Sequence, residues 1–425
     1  MIQRPRGTRD LLPPETRLWQ AVETVARDVF ASFGGEEIRT PVFEATELFV
    51  RSVGEATDIV HKEMYTFPDR KGRSLTLRPE MTAGVARAWI ENRMGDRSQP
   101  LRLFYLGPMF RYERMQHGRY RQFSQIGLEI IGAETPLADA ELLAAMHEFF
   151  SRLGFTDLQI RLNNLGDPED RTRYQDAIRT ALEPHRAELC SDCQRRLDEN
   201  PLRILDCKVP TCQAVAADVP AMDDVAGDAS RQHVGQVETH LQALGIPYVR
   251  DRRLVRGLDY YLRTVFEVVS PQLGASTVLC GGGRYDRLIA DLGGPIVPGV
   301  GFAIGEDRLV EVLPAAFRDA VLARPALYLV PLGVAAEERA LGLARDWVRA
   351  GIPVEIEITR RSLKAALKRA DRDGFRAVAM LGDDELRAGT VTVRDLAAGS
   401  QTAVGAGDVP AWWRALAVAV PSDVR

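Results

Sequence analysis

The spacing of hydrophobic and polar positions changes several times along this chain, and each change marks an element. From 17 to 33, Trp19, Val22, Val25, Ala26, Val29 and Phe30 recur at helical spacing and predict an amphipathic helix. The segment Glu37 to Phe43 follows as a short strand interrupted by Pro41. Ser74 to Arg78 reads as a strand ending at Pro79, and Glu80 opens a helix through Ala83, Val85, Ala86 and Trp89. Leu103 to Tyr112 is apolar and aromatic, as a buried strand should be. Phe123 to Ile131 instead alternates: Ile126, Leu128 and Ile130 point one way, Gln125, Gly127 and Glu129 the other. Two polar side chains flanking a glycine predict a pocket wall with room above its centre.

Beyond residue 150 the pattern breaks twice. From about 167 to 244 the chain is charge-rich and helical, which predicts an insertion between two strands of one sheet. Strand character returns from Leu254 to Val269, and an apolar strand from Thr277 to Cys280 leads into Gly281, Gly282 and Gly283. A glycine run after a strand lets a backbone approach a ligand closely. It matches neither a phosphate-binding P-loop nor a dinucleotide fingerprint. Pro298 to Leu309 reads as a glycine-rich strand opening a helix whose Leu309, Val310 and Leu313 face the core. After Arg324 and Pro325 the alternation resets. Strands at 327–331, 352–358, 375–381 and 390–395 are interleaved with helices at 335–350 and 361–372 and a last one carrying Trp412 and Trp413. That order predicts a compact α/β domain.

Composition alters this picture little. A chain of 425 residues accommodates two or three domains, and its net charge of −4 does not advertise a nucleic-acid binder, although a local basic patch can act within an acidic protein. No apolar run approaches a membrane span and the start, MIQRPRGTRD, has no apolar signal core, so a cytoplasmic location with no membrane partner is expected. Cys190, Cys193, Cys207 and Cys212 are spaced as C-x2-C and C-x4-C. Four thiolates at such spacing can close a zinc tetrahedron. Reduced thiols in a helical insert are the favoured reading for a cytoplasmic protein, so zinc is left open and no metal ligand is assigned. Cys280 reads as a small packing residue.

The densest candidate chemistry is arginine. Arg111, Arg114, Arg119 and Arg121 crowd the loop between the two central strands, and Arg256 and Arg308 recur later. A planar guanidinium suits bidentate contact with phosphate or carboxylate. A solvated hairpin tip would look the same. Arg308 is more pointed, because a cation in a first helical turn gains nothing from the helix dipole and needs an anion.

The residues as strings carry more. FRYERMQHGRYRQFSQIGLEIIG resembles motif 2 of the class II aminoacyl-tRNA synthetases. RGLDYYLRTVFEV and GGGRYD resemble the two signatures of the histidyl-tRNA synthetase family. Residues 17–43 resemble motif 1, residues 298–309 motif 3, and SLKAALKRADRDGFRAV the family's anticodon-binding domain. The resemblance covers essentially the whole chain. It implies an α+β catalytic domain with a mostly antiparallel sheet of six or seven strands over 1–323, a helical insertion at 167–244, and a C-terminal α/β anticodon-binding domain with a mixed sheet at 325–425. It implies activation of L-histidine with ATP and Mg²⁺ to histidyl-adenylate and pyrophosphate, transfer to the 3′ end of tRNA(His), and a homodimer. Site roles carry over residue by residue. Arg256 and Arg111 would be catalytic, and Arg111, Arg119 and Arg308 would grip ATP. Glu80, Met81, Thr82, Arg111, Gln125, Glu129, Arg256, Tyr260, Tyr261 and Tyr285 would hold histidine. Arg114 and Gln116 would meet the tRNA acceptor end. Met81 and Arg287 stand where relatives often have glycine. The rival is a non-catalytic synthetase-like regulatory subunit of ATP phosphoribosyltransferase. It would lack the C-terminal domain and some of these arginines.

Overall fold

The computed structural model describes residues 2–54, 57, 59–113, 118–271 and 278–417, which fall into two compact units, Met1–Pro314 and Ala315–Arg425. In the first unit the strands in chain order are β1 (Glu36–Glu37), β2 (Phe43–Ala45), β3 (Tyr65–Pro68), β4 (Ser74–Leu77), β5 (Leu101–Phe110), β6 (Gln122–Ile131), β7 (Gln159–Asn164), β8 (Tyr248–Arg250), β9 (Leu262–Val269), β10 (Val278–Arg284) and β11 (Gly299–Gly305). The main sheet runs β1-β5-β6-β11-β10-β9-β7-β8, and β2, β4 and β3 form a small separate sheet. Every pair from β5 to β7 across the main sheet is antiparallel, and only the two edge pairs, β1–β5 and β7–β8, are parallel. Eight strands therefore replace the expected six or seven. The edge strands are two and three residues long, too short to leave a periodic pattern in the sequence.

The helix Glu15–Ser32 lays Leu18, Trp19, Val22, Ala26, Val29 and Phe30 onto its own chain. Phe30 meets the rings of Phe104, Phe149 and Phe302 at centroid distances of 5.9, 5.7 and 5.7 Å. Its apolar face is thus consumed by core packing. By contrast, Val42 and Phe43 just beyond it are exposed, as is Phe67 on the same small sheet.

Two features fix the centre of the main sheet. The glycines of the 281–283 run do not follow a strand, as their spacing suggests, but lie within β10 between β9 and β11. A Cβ on Gly282 would sit 2.2 Å from the carbonyl oxygen of Gly301, and one on Gly281 would sit 2.2 Å from a guanidinium nitrogen of Arg256. Nothing but hydrogen fits there. At the end of β10, Arg284 is wholly buried. It pairs with Asp139 and Asp286 and donates to the carbonyls of Ala133 and Thr135. A buried cation survives only with its donors satisfied this way. His233 also faces Asp139, at 3.3 Å, which ties the helix Asp228–Ala243 to the same point.

Between β7 and β8 the chain forms a cluster of short helices beginning at Pro168–Leu182. Its small core contains Tyr174, Ile178, Leu197, Ile204 and three of the four clustered cysteines. The second unit carries a five-stranded mixed sheet. Arg324–Pro331 lies between Val354–Ile356 and Phe375–Leu381 in parallel, and Thr390–Asp395 and Gln401–Gly405 add on antiparallel. Among the described residues no helix is long and apolar enough to cross a membrane.

Candidate active site

Strands β6, β10 and β11 share one face, and the loops at their ends carry the arginines. A cleft over this face is lined by Arg111, Arg119, Gln125, Arg256, Gly281 and Arg308, with Phe123, Glu113 and Asp307 beside them. Arg111 leaves the end of β5. Its Nε donates to the carbonyl of Pro79 at 2.9 Å and its guanidinium lies 5.5 Å from the centre of the Phe123 ring. Arg119 donates to Glu113 at 3.2 Å, and Glu113 is also 3.8 Å from Arg111. Arg308 donates to the carbonyl of Val278 at 2.9 Å. Burial and then the neighbouring charge of Arg119 hold its pKa below the usual arginine value. Such crowding of like charges is relieved when an anion enters.

Arg256 reaches the cleft from the loop before β9 and lies flat over Gly281. It is ion-paired with Glu267 on β9, and its Nε is buried without a hydrogen-bond partner. Burial is the largest influence and works against the cation, but Glu267 together with Tyr261, Cys280 and Tyr260 offsets it and keeps the pKa above the ordinary value. The side-chain carbonyl of Gln125 is likewise buried without a partner. Both residues line the cleft, and a buried polar atom left without a partner is uncommon in a folded protein.

Further along β6 lies a buried polar cluster of different character. Glu129 is fully buried, and its carboxylate accepts from Thr82 at 2.7 Å, Tyr285 at 2.6 Å and Tyr105 at 3.2 Å. Burial pushes its pKa up to about 8, against the pull of those hydroxyls. Tyr260 and Tyr261 lie beside it with ring centroids 4.6 Å apart and planes tilted by 57°, Tyr260 also meets the edge of Tyr285 at 5.8 Å, and the Tyr260 hydroxyl is buried without a partner. Glu80 is also buried. It accepts from the backbone amides of Thr82 at 2.7 Å and Ala83 at 2.9 Å, so it caps the helix Thr82–Glu91, while burial still raises its pKa. The side chain of Met81 is buried in the same hydrophobic cluster as Tyr105, Tyr260, Tyr261 and Tyr285, and its sulfur accepts from Thr40 at 3.0 Å.

The structure thus brings Arg111, Arg119, Gln125, Arg256 and Arg308 together in the open cleft, and Glu80, Thr82, Glu129, Tyr260, Tyr261 and Tyr285 in the buried cluster. Arg114 and Gln116 lie outside the described residues. The room expected above Gly127 is absent. Tyr105, directly opposite in the β5–β6 register, lays its ring there, and a Cβ on Gly127 would fall 2.2 Å from it. Tyr105 is the main residue that sequence pattern did not flag, since an aromatic in a buried strand reads as core. Glu113, Glu267 and Asp307 were also unmarked. Asp307 pairs with Arg9 at 3.0 Å and accepts from the amide of Ser124 at 2.9 Å, which fixes the start of β6. The four clustered cysteines, expected as separate thiols, place all their sulfurs within 4.8 Å of one another, with no disulfide among them.

The family described as histidyl-tRNA synthetase matches residues 7–309, and the anticodon-binding domain family matches residues 326–416. The histidine–tRNA ligase of Desulforudis audaxviator is 49% identical over 409 residues, which are 96% of this chain and 97% of that protein. That of Geobacillus thermodenitrificans is 47% identical over 412 residues, again 96% and 97%. Among solved structures, apo histidyl-tRNA synthetase from S. aureus superimposes with a TM-score of 0.79 at 37% identity, covering 97% of this chain and all of the other.

Proposed function

The chain belongs to the histidyl-tRNA synthetase family, and from that premise we propose the residue roles by which it activates L-histidine with ATP and charges tRNA(His). The histidine carboxylate oxygen attacks the α-phosphorus, the bond to pyrophosphate breaks, and histidyl-adenylate remains. The terminal adenosine hydroxyl of the tRNA then takes the histidyl group and AMP leaves. ATP enters as its magnesium complex, so the metal belongs to the substrate.

Two anions must meet in line in the first step, so the site has to supply positive charge that is already in place. Arg111 and Arg256 flank the reacting phosphate and carboxylate. Arg119 and Arg308 take the remaining phosphates, and the carbonyl contacts and Glu113 that hold them now are weak enough to exchange. Gln125 offers its unpartnered carbonyl, and Glu80 its carboxylate, to the α-amino group. Glu129 meets the imidazole. A carboxyl with a pKa of about 8 is mostly protonated at neutral pH before the substrate arrives, and it shares that proton with the entering ring. A wrong amino acid without ring nitrogens would offer Glu129 no partner beyond the three hydroxyls it already holds and would leave the Tyr260 hydroxyl unpaired, which costs far more than a lost apolar contact.

The single observation that carries these roles is the buried Glu129, held by three hydroxyls on the same strand whose Gln125 lines a cleft of arginines. Residues 326–416 would read the anticodon, where unstacked loop bases are available to side chains. A second copy of the chain would cover Val42, Phe43 and Phe67, apolar side chains left 38, 53 and 40% exposed. The regulatory-subunit alternative is not favoured, because the ATP-gripping arginines and the second unit are both present. Pyrophosphate exchange across the twenty amino acids tests the roles. Exchange is expected with histidine alone, and histidine binding without exchange would defeat the assignment of Arg111 and Arg256.

A further inference from the structure

We infer that Cys190, Cys193, Cys207 and Cys212 bind one zinc ion, and that this metal clamps the segment that holds the Arg256 loop in place. Among the described residues they form the only group of three or more metal-ligating side chains able to reach a common ion. Their sulfurs lie within 4.8 Å of one another. A tetrahedral zinc with bonds of about 2.3 Å requires sulfurs about 3.8 Å apart, so small rotamer changes close the site. The local fold is prepared for it. Cys190 stands at the N-cap of the helix Ser191–Glu199 with Cys193 in its first turn, and Cys212 lies in the helix Pro210–Val215. The amide of Cys190 donates to the sulfur of Cys212 at 3.2 Å, which ties the two halves of the cluster together. Cys190 and Cys207 approach to 4.0 Å, far from a disulfide bond of about 2.05 Å. The surrounding core is small, as in other modules that rely on a metal crosslink.

What the clamp would hold is visible in the hydrogen bonds. The residues between the two cysteine pairs include Asn200 and Arg203. Asn200 donates to Asp259 at 3.1 Å, and Arg203 donates to the backbone carbonyl of Arg256 at 3.1 Å. Both ends of the Arg256–Asp259 loop are thus tethered to a segment closed at each end by cysteines. Zinc is a positioning element for Arg256 and not part of the chemistry. The metal site stands whether or not the residue roles proposed above are right, whereas the link to Arg256 rests on them.

The test uses the full chain without a histidine tag. Mass spectrometry of metals should find about one zinc per chain. A thiol reagent applied to the folded protein should reach the four cysteines only after a strong chelator is added. Cobalt in place of zinc should give the thiolate charge-transfer and visible bands of a tetrahedral site. Cys190→Ser keeps a good helix cap, so it should fold normally and lose zinc to a competing chelator at least tenfold more readily. Metal removal should lower kcat for histidine-dependent pyrophosphate exchange roughly tenfold to a hundredfold, with little change in KM for ATP, and zinc should restore it. Protein that stays metal-free after zinc is added, with four freely reactive thiols or two disulfides, overturns the site. Bound zinc whose removal leaves kcat unchanged overturns the link to Arg256.

Discussion

The open cleft and the buried cluster around Glu129 share strand β6 but solve opposite electrostatic problems. In the cleft, Arg111, Arg119, Arg256 and Arg308 are crowded, partly hydrated and held by carbonyls, Glu113 and Glu267. In the pocket, Glu80 and Glu129 are buried and held by amides and hydroxyls. Crowded cations that remain partly hydrated can wait for an anion, because water and weak partners cover the cost meanwhile. A buried carboxyl has no such cover. It is retained by hydrogen bonds and by a raised pKa, and its selectivity comes from the penalty of leaving those donors badly paired. Rate is therefore expected to depend mainly on the cleft, and choice of amino acid on the pocket.

The largest expected effect is at the cleft. Arg256→Ala should lower the adenylation rate by about 2.7–4 kcal/mol of transition-state stabilisation, the scale of a removed oxyanion donor, while ATP affinity changes much less. Arg256→Lys should recover only part, having no planar fork to span Glu267 and a ligand. Rapid-quench measurement of adenylate formation checks this, and an equal loss in ATP affinity would make Arg256 a binding residue only.

The next effect isolates the pocket. A Cβ on Gly301 would lie 1.6 Å from a carboxylate oxygen of Glu129. Gly301→Ala must displace that carboxylate, at a stability cost of about 1–3 kcal/mol. Calorimetry should show histidine binding abolished and ATP binding retained. If both ligands are lost together, the two regions are not separable as described.

A pH comparison sharpens the contrast further. The pKa of Glu129 is raised to about 8 in the folded protein, above an unfolded value of about 4.3. The stability this group contributes is complete below the unfolded pKa and is lost as pH rises through the folded one. The thermal midpoint of the parent protein, taken relative to Glu129→Gln at each pH, should therefore fall between pH 5 and 9. A difference that stays flat would mean that Glu129 ionises normally. The smallest effect belongs to Tyr285→Phe, which removes one of three hydroxyl donors and should cost about 1 kcal/mol of histidine affinity, read by the same calorimetry.

Much of the cleft was legible from arginines in distinctive strings, since a planar guanidinium suits phosphate or carboxylate. The pocket was less so. Gln125 and Glu129 were visible as polar positions in an alternating strand, but Tyr105 looked like any buried aromatic. Its hydroxyl reaches Glu129 because the β5–β6 register sets it opposite Gly127. The same register filled the space that alternation alone suggested was open. Glycines 281 to 283 were noticed, yet their place inside β10 depends on how closely β9 and β11 approach.

The sequence by itself determined most of the order of strands and helices and the crowding of arginines near the central strands, because periodicity and side-chain chemistry are local properties. Only the tertiary structure decided which faces are buried, which carboxyl carries a raised pKa, and that four cysteines spread over 23 residues converge. These follow from distances between segments remote in the chain. Desolvation, pairing and steric exclusion all vary steeply with such distances, and no local pattern encodes them.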